Sequence, residues 1–218
     1  MILNLLLSLA LALVTTVQAH EDVFSIMIDP SGDAKTTGRT IDDSFERGLT
    51  LQCAQKLKEV LERHNNVRVI LTRFAGETVE PLQNAHFANR LDVDLFVSLN
   101  FYTETAAKPT IYLYTFSYGN EPYTVPSDAL FYNYDSAHWP YAQTTKTWAA
   151  CIQQELQESR YHKLFDCKGV YKLPFKPLIG IKAPALGIEI GLKNSKDWHN
   201  CVDALVSSLE ALIISARI

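Results

Sequence analysis

The sequence has no lysine- or arginine-rich stripe, no Cys-x-x-Cys pair, no internal repeat and no low-complexity tract. The first absence, with a net charge of −4 spread over both signs, argues against a nucleic-acid footprint. The second removes zinc-knuckle and redox-motif readings of Cys53, Cys151, Cys167 and Cys201, which are scattered along the chain. The 218 residues, 47% of them apolar, are enough for one packed domain. One long apolar run stands at the start. Residues 1–19 are apolar from Ile2 onward and end Val17-Gln18-Ala19, a small-x-small cleavage pattern. This reads as a secretory signal peptide, which would leave an exported domain (periplasm or cell envelope) without a transmembrane segment in the mature chain. No lysine or arginine precedes the apolar core, so an uncleaved anchor is the alternative. Export would permit disulfides, and four cysteines allow three pairings. Cys151–Cys167 would close a short loop, whereas Cys53, on an apolar helix face, also reads as a small core residue.

Apolar and turn patterns predict strands at 23–29, 67–72, 94–100, 110–116, 169–173 and 185–190. Helices are predicted at about 45–64, 79–91, 144–159 and 197–215, the first with Ser44 as its N-cap. Residues 117–143 are dense in Tyr, Pro, Asn and Asp and form a long loop or aromatic-rich insertion. Strands alternating with helices predict an α/β fold, a mostly parallel doubly wound sheet with helices on both faces. Ligands of such sheets bind beyond the C-terminal strand ends, where Gly32, Asn100 and Glu189 fall.

Five motifs in order give the chain a resemblance to the zinc-dependent N-acetylmuramoyl-L-alanine amidases. They are Asp29-Pro30-Ser31-Gly32-Asp33, Glu46-Arg47-Gly48, Leu71-Thr72-Arg73, Asp94-Leu95-Phe96-Val97-Ser98-Leu99-Asn100, and Pro184-Ala185-Leu186-Gly187-Ile188-Glu189. The resemblance covers most of the mature chain and implies the amidase fold and cleavage of the sugar–peptide bond of peptidoglycan. It also implies zinc ligands at position 32, Glu46 and position 100, with Glu189 as the proton shuttle.

The residues depart from that pattern. The family has histidine where this chain has Gly32 and Asn100. Glycine offers no donor, and a neutral amide is a poor zinc ligand beside imidazole. If zinc is worth ~10–16 kcal/mol over four ligands, losing two costs roughly 6 kcal/mol, more than about ten-thousandfold in affinity. Only Glu46 remains as a ligand, and Glu189 lacks a metal-activated water to deprotonate. Bland roles compete: Glu46 suits a helix N-terminus without metal, and Glu189 can pair with Arg73, Lys193 or another cation. Asn100 can hydrogen-bond either carboxylate. By this alignment Gly32→His with Asn100→His should restore zinc.

Among the other histidines, His64, His86, His162 and His199 sit on helices or their ends. His138 lies on a segment long enough to fold over the site. His20 would become the mature N-terminus, where amine and imidazole together chelate Cu(II). The leading expectation is a pseudoenzyme without cofactor that binds a peptidoglycan fragment or an envelope protein, with Arg73, Asn100 and Trp139 as binding residues. The alternatives are an active amidase with remodelled zinc ligands or a paired Glu46/Glu189 acid and base, and a scaffolding domain.

Overall fold

The computed structural model describes residues 23–63, 66–80, 82–119 and 133–217. The signal-peptide reading, His20, His64 and residues 120–132 of the insertion lie outside the described residues. In chain order the elements are β1 (Phe24–Pro30), β2 (Thr40–Ile41), β3 (Ser44–Phe45), α1 (Glu46–Leu61), β4 (Val67–Leu71) and α2 (Gln83–Leu91). There follow β5 (Leu95–Thr103), β6 (Thr110–Phe116), α3 (Ala142–Leu156), β7 (Asp166–Leu173), β8 (Ala185–Leu192) and α4 (His199–Ala216).

Six strands form one sheet in the order β4-β1-β5-β8-β6-β7. The first four run parallel; β6 is antiparallel to β8, and β7 runs parallel to β6. The sheet is therefore mostly parallel, and its central strands are buried on both faces, as unbroken apolar runs require. One face sends Ile26, Ile28, Leu95, Val97, Leu99, Leu186, Ile188 and Ile190 into a core shared with α1, α3 and α4. The other sends Met27, Phe96 and Ala185 against Ala85 and Ala88 of α2 and against Leu178 and Ile181. Each fully buried Leu or Ile contributes ~1.5–3 kcal/mol, so the first core dominates stability.

Three local features differ from the sequence expectation. Ser44 is not a cap: it pairs in the β2–β3 hairpin, and Phe45 precedes α1 without a side-chain cap bond. The second helix starts at Gln83 rather than near 79, because Val79 N–H donates to Asp33 Oδ2 and Glu80 N–H to Gln83 Oε1. All four cysteines are free thiols, so no Cys151–Cys167 bridge forms. Cys53 and Cys201 are fully buried, and burial raises both thiols, Cys201 to about 12. They act as small hydrophobes.

Strand β4 is a sheet edge, and α1 blunts it. Lys58 Nζ donates to the Val69 carbonyl, and the Val69 N–H donates to Glu62 Oε1 at 2.8 Å. Edge strands with free backbone groups template association. The double variant Lys58→Ala, Glu62→Ala is expected to cost about 1–2 kcal/mol and to promote self-association, read by light scattering. Unchanged scattering would contradict the capping role.

Candidate functional site

The site begins with the loop after β1. Asp29 is buried, and its Oδ1 accepts hydrogen bonds from Thr72 Oγ1 and Asn84 Nδ2, both at 2.7 Å. Burial raises its pKa despite those bonds and the Arg73 charge. Arg73 is only 3% exposed and donates to the carbonyls of Pro30, Ser31 and Arg47. Arg47 donates to the Asp33 and Ala34 carbonyls, and Thr50 Oγ1 to that of Ser31. The Arg73 guanidinium thus braces this loop through backbone carbonyls.

The raised Asp29 pKa has a consequence with a definite sign. A carboxyl whose folded pKa lies above its ordinary value of 3.8 favours folding when protonated, and that contribution fades as pH rises through the folded pKa. Relative to Asp29→Asn, the wild type should therefore lose stability across that window, measured by urea unfolding at stepped pH. A gap that is constant or moves the other way would contradict the burial.

Gly32 follows in a left-handed conformation, φ +80°. A Cβ there would lie 2.7 Å from Arg47 Cβ and 2.9 Å from the Thr36 carbonyl oxygen. Any L side chain at this position is directed into packed atoms at the start of α1.

Glu46 opens α1 and is 3% exposed. Its Oε1 accepts the Phe101 N–H at 2.9 Å and its Oε2 the Arg39 N–H at 3.0 Å. Asn100 is buried on β5, and its Nδ2 donates to Ser98 Oγ at 3.0 Å, rather than to Glu46 or Glu189 as expected. Asn100 and Glu189 are register partners on β5 and β8, inside the strands rather than at their ends.

The cation beside Glu189 is Arg39, not Arg73 or Lys193. Arg39 Nη1 lies 2.6 Å from Glu189 Oε1 and 3.1 Å from the Phe101 carbonyl oxygen, and Tyr114 OH donates to Glu189 Oε2 at 2.8 Å. Burial alone would lower the Arg39 pKa, but the hydrogen bond and charge of Glu189, with the charge of Glu46, outweigh it and raise it. Burial, and then Glu189, raise the Tyr114 phenol. One residue therefore ties both carboxylates, through its backbone N–H to Glu46 and its guanidinium to Glu189. Sequence reasoning missed Arg39. The available signal was the need for a cation near two carboxylates whose metal ligands are missing.

A catalytic zinc needs three protein ligands and an open position. Among the described residues no three His, Cys, Asp or Glu side chains converge. Glu46 already accepts two N–H groups, Asn100 is bonded to Ser98, and position 32 cannot aim a side chain at the centre. The donor set present does not fit zinc.

The remaining candidates fall elsewhere. His138 is buried edge-on to Phe116, ring centroids 4.8 Å apart, and Trp139 follows it in a short turn of 3₁₀ helix before α3. Because β6 is antiparallel to β8, Phe116 lies toward the N-terminal end of β8, away from Glu189. Neither His138 nor Trp139 joins the carboxylate pair. His86 Nε2 pairs with Tyr134 OH on α2's outer side. A groove of about 760 Å³ runs along the outer edge of β4, past Glu62, Phe74 and His86, and is separate from Glu46 and Glu189.

Fold and site together define an α/β domain whose mostly parallel sheet carries one glutamate at the head of the first long helix and another on a central strand. The N-acetylmuramoyl-L-alanine amidase family model matches residues 26–205. The chain belongs to the N-acetylmuramoyl-L-alanine amidase family. It is 36% identical over 76 residues to the N-acetylmuramoyl-L-alanine amidase CwlM of Bacillus licheniformis, a match spanning 34% of this chain and 30% of that relative. The N-acetylmuramoyl-L-alanine amidase of Clostridium difficile 630 superposes with a TM-score of 0.66 at 19% identity, over 89% of this chain and 98% of the other. The amidase Ami1 of Mycobacterium smegmatis gives 0.65 at 14% identity, over 89% and 99%. At these identities the likeness is one of fold. Among the described residues no helix is long and apolar enough to cross a membrane.

Proposed function

We propose that this amidase-family domain is an exported pseudoenzyme that needs no cofactor, has lost zinc hydrolysis and holds peptidoglycan fragments. The carrying observation is the Arg39 bridge between Glu46 and Glu189. In a working zinc amidase a metal lowers the pKa of a bound water and polarises the carbonyl, while the glutamate moves the proton. Here Glu189 is held by a guanidinium and a phenol, so it is tied as an ion-pair acceptor. Glu46 closes its hydrogen bonds on backbone. The retained carboxylates thus brace the Arg39 loop against β5 and β8, and the family relationship supplies the ligand class. An envelope protein, or no ligand at all, are the competing occupants.

The test is muropeptide release from purified sacculi by the mature domain, beside a Glu189→Gln variant and a sedimentation assay. The expected result is co-sedimentation without release for both proteins. Release that disappears in Glu189→Gln would overturn the reading, and failure of the wild type to sediment would favour scaffolding.

A further inference from the structure

We infer that the face of β5, β8, β6 and β7 beside Glu189 is a stacking platform for the glycan strand of peptidoglycan, so that the sugars rather than the stem peptides are what the domain holds. This rests on the peptidoglycan-binding reading above. Five rings lie in a continuous belt across these strands. Tyr102 and Tyr112 are 6.5 Å apart between centroids, Tyr112 and Tyr114 are 6.4 Å apart with nearly parallel planes at 6°, and Tyr114 stacks on Phe175 at 4.9 Å. Tyr171 completes the belt, 5.7 Å from Tyr112 and 6.4 Å from Tyr114.

The belt is built into the sheet. Strand β8 turns Gly187, Glu189 and Gly191 to this face, and a Cβ at Gly187 would meet the Phe175 ring at 2.5 Å. A Cβ at Gly191 would meet the Tyr102 hydroxyl at 2.6 Å. Both glycines let the aromatic side chains lie close over the strand. Two rings are fixed by their own hydroxyls: Tyr102 OH bonds Glu104 Oε2 and Thr110 Oγ1, and Tyr114 OH bonds Glu189. Ring orientation is therefore set before any ligand arrives, which lowers the entropic cost of binding.

The platform favours a neutral, flat and amphipathic partner. Its charged members are Arg39 and Glu189, which pair with each other, and Glu104, whose carboxylate accepts from Tyr102 OH and from the Thr105 and Ala106 N–H groups; Arg39 also lies over the Tyr102 ring at 5.9 Å. Tyr171 is 45% exposed, and Tyr102, Tyr112, Tyr114 and Phe175 are half-buried. Half-buried tyrosines offer apolar faces with polar rims, suited to the C–H faces and hydroxyls of uncharged sugar rings. Among the described residues of this belt a free peptide carboxylate finds no cation outside the Arg39–Glu189 pair.

The experiment compares the mature domain with Tyr112→Ala/Tyr171→Ala and with Tyr112→Phe/Tyr171→Phe. Binding is measured by calorimetry to peptide-free glycan strands, N-acetylglucosamine oligomers and free stem peptide, and by sedimentation with sacculi. The expected result is glycan binding without stem-peptide binding, weakened about tenfold or more in the alanine pair and retained in the phenylalanine pair. Circular dichroism checks that each variant folds. Equal glycan affinity of wild type and alanine pair overturns the platform, as does equal loss in the phenylalanine pair. Binding to N-acetylglucosamine oligomers but not to peptidoglycan strands would overturn the assignment to peptidoglycan. Sedimentation with sacculi alongside glycan-independent binding defeats this inference alone, whereas no sedimentation defeats the reading beneath it.

Discussion

Replacing Glu46 with alanine is expected to cost the domain about 3–5 kcal/mol, with or without zinc in the buffer. The carboxylate is buried, and each oxygen satisfies a backbone N–H, one from Phe101 on β5 and one from Arg39 in the preceding loop. Truncation leaves both donors without a partner, at ~1–3 kcal/mol each, and removes the charge that helps seat Arg39. For a domain of this size the midpoint of thermal unfolding should fall by roughly 6–20 °C. Glu46→Gln should lie between, because an amide oxygen can serve one N–H while the amide nitrogen confronts the other. Calorimetry in chelator and in zinc separates the roles of Glu46. A loss seen only when zinc is supplied would make it a ligand; an equal loss makes it a brace.

The double variant Gly32→His, Asn100→His should gain no zinc affinity and should be destabilised. This reverses the outcome that motif alignment alone suggests. A left-handed φ costs a non-glycine residue about 1 kcal/mol, and forcing a Cβ within 2.7 Å of Arg47 Cβ adds roughly 1–3 kcal/mol of overpacking. Isothermal titration with zinc, beside the single variant Asn100→His, reports both effects. Tight binding by the folded double variant would mean that the loop reshapes around a histidine and that only the side chains were lost.

These two positions also indicate how much was legible. The sheet was, because apolar runs flanked by turn residues and amphipathic helices carry period and length information on their own. Glu46 and Glu189 were legible too, since each sits on a regular element whose motif fixes its place. Arg39 was not: it belongs to an irregular loop whose path depends on the Asp33 turn and on distant carbonyls held by Arg47 and Arg73. The belt of Tyr102, Tyr112, Tyr114, Tyr171 and Phe175 was hidden for a similar reason. Strand pairing across β5, β8, β6 and β7 brings the rings together, and neither their spacing nor the antiparallel turn of β6 is written locally. Trp139 lies in a segment that the reversed direction of β6 carries away from Glu189.

The central claim is that the residues at the family's metal site no longer hold a metal, because Glu46 closes on two backbone N–H groups and Glu189 pairs with the Arg39 guanidinium. Zinc content of the protein, purified without chelator and then dialysed against zinc, tests it most directly. Metal analysis should find far less than one zinc per chain, with an unfolding midpoint unmoved by zinc or by chelator. One firmly held zinc per chain, with a midpoint that chelator lowers, would contradict it.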